Sequence, residues 1–193
     1  MDIWLILEVI AVAGNLAYTI YMMLNKRIGW LFGIAASLIG TVIFLHQNVF
    51  AQVGLNVFYA IMGIYGWLSW KRSEGKELPI THRTLLFHLA MIGVGVILAV
   101  VIAFVLDQLP EAQYIEIDGF VTGFSLLATW MLARRILENW AYWIGADAVA
   151  IWLYWQIDLH WYAGLYAIYV IISIIALVRW HGQWQKDAVG AKF

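Results

Sequence analysis

The chain has 193 residues, 64% of them hydrophobic and 12% charged, with a formal net charge of −1 and no cysteine. Soluble domains carry about 45–50% apolar and about 25% charged residues, so one globular core cannot hide this excess and lipid must solvate most of the chain. The charge balance gives no reason to expect a nucleic-acid partner, and the lack of cysteine excludes disulfides, thiolate metal sites and a cysteine nucleophile.

At about 20 residues per span, seven helices nearly exhaust the length. Apolar runs fall at 3–24, 28–46, 50–70, 84–106, 119–135, 139–157 and 160–180. The first run lacks a basic leader and a small-residue cleavage site, so it reads as a retained helix. Pro79 and Pro110 both lie between runs, and no run shows the two-residue alternation of a membrane β-barrel. The expected fold class is an all-α integral membrane protein with seven transmembrane helices.

Basic residues set the expected orientation. With the N-terminus outside and the C-terminus inside, the inner segments hold Lys26, Arg27, Lys71, Arg72, Lys76, Arg83, Arg134, Arg135, Arg179, Lys186 and Lys192. That is every Lys and Arg in the chain. Asp2, Asp107, Glu111, Glu116, Asp118 and Asp158 fall outside. An even number of spans would scatter the basic residues over both faces.

Laid over itself at one constant offset, the chain pairs Trp30 with Trp140, Gly54 with Gly164, Tyr59 with Tyr169 and Trp70 with Trp180. Glu8 then falls on Asp118, Asn15 on Ser125, Thr19 on Thr129 and Ser37 on Asp147. The expected organisation is a first three-helix repeat over 1–70, a linker with connecting helix 4 over 71–118, and a second three-helix repeat with a short tail over 119–193. One crossing between two triplets makes this a 3+1+3 arrangement of parallel repeats.

Polar residues inside spans are costly and need a reason. In helix 1, Glu8 lies in the outer third, where partial solvation competes with a proton-coupling role. In helix 3, Gln52, Asn56 and Tyr59 share one face, which Gly63 and Gly66 extend. Helix 4 is almost wholly aliphatic and is expected to face lipid. In helix 6, Trp140, Trp143 and Asp147 share a face, with Asp147 about 12 Å from the inner end and close to the midplane. No span supplies a Lys or Arg to neutralise it. Three readings stay open: a protonated acid, a carboxyl held by neighbouring donors, or contact with a cationic or donor-rich solute. In helix 7, Tyr166 and Tyr169 occupy the repeat positions of Asn56 and Tyr59, with Tyr162 and Ser173 on the same stripe. Helix–helix hydrogen bonding is the rival explanation for both stripes.

Trp4, Trp67, Trp70, Trp161 and Trp180, near helix ends, are expected as interfacial anchors. Trp143 lies deeper, where an indole face suits a flat or cationic ring. No two histidines show metal-ligand spacing within a helix, so neither metal nor cofactor is expected. Hydrolase, zinc-protease and phosphate-loop motifs are missing, and no span holds a lysine for a retinal Schiff base. The chain does not read as an enzyme.

Residues 29–70, ending Ile64–Tyr65–Gly66–Trp67–Leu68–Ser69–Trp70, and residues 134–169, with Glu138–Asn139–Trp140–Ala141–Tyr142–Trp143, resemble two blocks of the PnuC family of bacterial vitamin-precursor transporters. The resemblance implies a fold like that of the SWEET sugar transporters, although the Pro-Gln pair of those spans is missing, which counts against sugar. It implies a multi-pass protein of the bacterial inner membrane that takes up nicotinamide riboside by facilitated diffusion, followed by metabolic trapping. Thiamine or riboflavin is the alternative within the family. A seven-helix receptor or structural membrane protein, or a proton-coupled carrier, is the alternative of another kind. Carried over by position, the solute site comprises Gln52, Asn56, Tyr59, Trp143, Asp147, Tyr166 and Tyr169, with Trp140 on the same helix face. The partners expected are this small solute and the bilayer, and association of copies into a homo-oligomer is compatible with the chain.

Overall fold

The computed structural model describes residues 3–47, 50–71, 78–109 and 114–190. Among them are seven α-helices: α1 (Ile3–Met23), α2 (Gly29–His46), α3 (Phe50–Ser69), α4 (Leu85–Leu106), α5 (Ile115–Ala133), α6 (Asn139–Gln156) and α7 (His160–Gly190). Of these, α1, α2, α4, α5 and the His160–Ala188 part of α7 are long and apolar enough to cross a membrane. The two outside that set are interrupted by polar residues: Gln52 and Asn56 lower the hydropathy of α3, and Asn139, Asp147 and Gln156 that of α6.

Two helices run beyond their apolar limits. α5 starts at Ile115, because Glu116 and Asp118 in its first turn complement the exposed amide dipoles there. α7 continues to Gly190 through polar residues that favour a helix once it has left an apolar medium.

The chain divides into two compact units, Met1–Leu78 and Pro79–Phe193. In the first, α2 packs on α1 and on α3; in the second, α5 packs on α4 and on α6, and α6 on α7.

Within each unit the local geometry repeats at the offset that pairs Trp30 with Trp140. α2 and α6 both begin and end in that register; α1 and α5 end, and α3 and α7 begin, in it too. The bends match bond for bond. Lys26 N–H donates to the Tyr21 carbonyl at 2.8 Å and Asn25 N–H to Met22 at 2.9 Å; Ile136 donates to Met131 at 3.0 Å and Arg135 to Leu132 at 2.9 Å. Each pair is a Schellman stop, which needs a left-handed residue after the helix. Asn25 (φ 56°) and Arg135 (φ 50°) supply it. Asparagine tolerates this conformation, whereas arginine costs about 1–2 kcal/mol. Thr81 holds Arg135 in place, donating its N–H to the Arg135 carbonyl at 2.9 Å and accepting from Leu137 N–H at 2.8 Å.

Tryptophan pairs form the matching cores. Trp30 and Trp70 meet edge-on at 5.6 Å, and so do Trp140 and Trp180. Gly66 leaves room for the Trp30 ring and Gly63 for Ile34, so these two α3 glycines are seats for α2 and not an extension of a solute-facing stripe. Trp70 and Trp180, expected at a lipid interface, are 2% and 0% exposed. α7 continues well past Trp180 to Gly190, which is why a position at the edge of the apolar run is nonetheless interior.

α4 is anchored through glycine. A Cβ on Gly119 would come within 2.6 Å of the Ala99 carbonyl, and one on Gly123 within 2.8 Å of the Ala99 nitrogen. Small residues four apart let α5 approach the α4 backbone this closely. The rest of α4 is largely exposed, as its aliphatic sequence predicts, with Leu85, Leu86 and Phe104 at 70% or more.

Candidate functional site

In the first unit, the α3 stripe turns toward α2. Asn56 donates from Nδ2 to the Gln52 carbonyl at 2.9 Å. Its Oδ1 packs over Gly40, where a Cβ would approach to 2.5 Å. Tyr59 is half-buried and lies within electrostatic reach of Tyr18 on α1. The Tyr18 ring rests over Gly33 and tilts against Trp30 at 5.7 Å. Gln52, Asn56 and Tyr59 thus stay together, half-buried, with part of their polar capacity already used within the triplet.

The second unit holds the more concentrated chemistry. Asp147 on α6 is 3% exposed and lies within electrostatic reach of Tyr169 on α7. Tyr169 meets Tyr166 edge-on at 5.8 Å, and Tyr166 lies against Tyr154 at 5.1 Å. Tyr154 in turn stacks on Tyr162 at 5.5 Å. Trp143, one turn before Asp147, is half-buried, and Ser173 on α7 is 2% exposed. A buried carboxyl group within electrostatic reach of a phenol, on helices that also carry aromatic faces, suits a flat, positively charged ring.

Trp140 is placed differently from the other candidates. Only 2% of it is exposed, and Trp180 takes up its ring. Its neighbours in sequence are also engaged in the fold. Asn139 is fully buried and donates from Nδ2 to the Ile136 carbonyl at 2.7 Å. Glu138 pairs with Nδ1 of His82, faces Nε2 of His88 at 3.7 Å and accepts the Arg83 N–H at 3.3 Å. His88 reaches the Tyr142 hydroxyl at 3.1 Å. The Glu138–Asn139–Trp140 block therefore clasps the α5–α6 bend to the segment leading into α4.

Tyr154 is the residue that sequence reasoning missed. It lies seven positions beyond Asp147, on the same face of α6, and that spacing was the available signal.

The model of a family described as nicotinamide mononucleotide transporters matches residues 5–182. The chain belongs to this family. The nicotinamide riboside transporters PnuC of Escherichia coli (strain K12) and Shigella flexneri are each 23% identical to it over 184 residues, covering 80% of this chain and 74% of theirs. A solved structure described as the crystal structure of the vitamin B3 transporter PnuC shares the fold, with a TM-score of 0.74 at 18% identity, over 93% of this chain and 82% of that one. The family is one of transporters and not of enzymes. Membership and the apolar helices make this a multi-pass membrane protein.

Proposed function

We propose that the protein carries nicotinamide riboside into the cell across the bacterial inner membrane by facilitated diffusion, with metabolic trapping of the product. The transporter family supplies the reaction type, and the PnuC relatives supply the solute. The observation that carries the choice of solute is Asp147, buried within electrostatic reach of Tyr169, with no lysine or arginine anywhere in 139–178 as a counter-charge. A pyridinium ring provides that charge.

In this reading all seven helices cross the bilayer, the N-terminus lies outside, and the C-terminus lies with the basic segments inside. Residues 1–70 and 119–193 act as parallel triplets joined through 71–118, an organisation that the matched bends and tryptophan pairs support. Asp147, Trp143, Tyr166 and Tyr169 are the solute contacts proposed on α6 and α7, and Gln52, Asn56 and Tyr59 those proposed on α3. Trp140, buried against Trp180, fixes α6 to α7.

Thiamine is the second reading, because its ring is also cationic and Asp147 suits it equally. Riboflavin, which is neutral, leaves the carboxylate without a counter-charge. The deciding experiment titrates purified protein with nicotinamide riboside, thiamine and riboflavin while following tryptophan fluorescence. Saturable quenching by nicotinamide riboside at the lowest concentration is expected. Tighter binding of thiamine would reassign the solute, and no quenching by any of the three would remove the proposal.

A further inference from the structure

The tyrosines of α6 and α7 extend beyond the residues needed to surround Asp147. Tyr162, in the first turn of α7, is 53% exposed. From it, ring contacts run without a gap: Tyr162 to Tyr154 at 5.5 Å, Tyr154 to Tyr166 at 5.1 Å, and Tyr166 to Tyr169 at 5.8 Å. Tyr162 and Tyr169 are two turns apart, about 10 Å along a helix. The ladder therefore starts at the exposed end of the helix pair and finishes at Tyr169, within electrostatic reach of the buried acid.

Carboxylates lie near the middle of the ladder and near its inner end. Asp118 on α5 lies within electrostatic reach of Tyr154, as Asp147 does of Tyr169. Neither 107–133 nor 139–178 contains a lysine or arginine, so no positive side chain from these stretches opposes the acids. A helix pair stapled by tyrosines needs no such bias in charge. Phenol faces attract cations, and the attraction grows as water is removed.

We infer that Tyr162, Tyr154 and Tyr166 form an outer subsite for flat cationic rings, which collects the solute and passes it inward to Asp147. Tyr154 and Tyr162 set the affinity for the arriving cation, whereas Asp147 sets that of the inner site. This inference rests on the transport reading and on its orientation.

The test measures uptake of labelled nicotinamide riboside by cells with no other carrier for it, with the reduced, uncharged riboside as competitor. Tyr154→Leu and Tyr162→Leu are each expected to raise KM about three- to fivefold, with the maximal rate within about twofold of the original. Tyr154→Phe, which keeps the ring face, is expected to stay near the original. The neutral competitor's inhibition constant should not move in any variant. Should Tyr154→Leu fail to accumulate in the membrane, the half-exposed Tyr162→Leu carries the test. Unchanged KM in the leucine variants, equal losses for charged and neutral rings, or a phenylalanine variant as impaired as the leucine one would each overturn the subsite and leave the transport reading standing. A native protein that carries no nicotinamide riboside would remove both.

Discussion

The Trp140 ring meets Trp180 at 5.6 Å with 83° between their planes, and both indoles are buried. Trp30 and Trp70 repeat that geometry in the first unit, at 5.6 Å and 90°. Edge-on indoles gain about 0.5–1.5 kcal/mol beyond the area they bury. The pairs therefore act as rivets, between α2 and the end of α3 in the first unit and between α6 and α7 in the second.

Removing one half of the rivet should cost stability. Trp180→Ala is expected to destabilise by about 3–5 kcal/mol, the range for emptying an aromatic from a core. Trp161→Ala, at a position 93% exposed, should stay within about 0.5 kcal/mol. Thermal unfolding of both variants in the same detergent checks the contrast, and equal losses would contradict the interior placement of Trp180.

Close helix approach makes a second prediction. Gly123→Ala presses a methyl group against the Ala99 backbone, and Gly66→Ala presses one into the Trp30 ring. Overpacking of this kind costs about 1–3 kcal/mol. Gly164→Ala meets nothing within 4 Å and should be neutral or slightly stabilising, because a helix prefers alanine. The same melting assay separates the three.

Glu138 makes a third. In Glu138→Ala the His82 contact and the Arg83 N–H lose their acceptor. Hydrogen exchange over 79–88 should quicken about tenfold, equivalent to about 1.4 kcal/mol of local protection. Exchange in α2 and α3, which belong to the other unit, should not change. A uniform increase across the chain would show that Glu138 supports the fold globally and not this clasp.

Much of the fold could be read from the residues, for reasons that the structure makes plain. Helix limits followed from hydropathy wherever both ends meet polar chain, as in α2 and α4. They failed at the acidic first turn of α5, which begins at Ile115, and at α7, whose polar extension to Gly190 carries no apolar signal. The repeat was visible through Trp30, Trp70, Trp140 and Trp180, although the pairing of these rings was not, because two indoles on different helices leave no local pattern. The left-handed bend was hidden since Asn25 and Arg135 share a backbone conformation and no side-chain chemistry. Asp147 stood out because a carboxylate in an apolar helix is expensive. The engagement of Asn56 with Gly40 escaped notice, since a polar stripe does not disclose which helix it meets.

In the proposed reading, selection of a cationic solute depends on the Asp147 carboxyl facing its positive charge. The most direct measurement compares the affinity of native protein and Asp147→Asn for nicotinamide riboside and for its reduced, uncharged form. Loss of a buried charge partner is expected to weaken the cation by about 2 kcal/mol or more, roughly 30-fold, and the neutral ring by much less. Equal weakening of both forms would contradict that contact and assign Asp147 to the packing of α6 and α7.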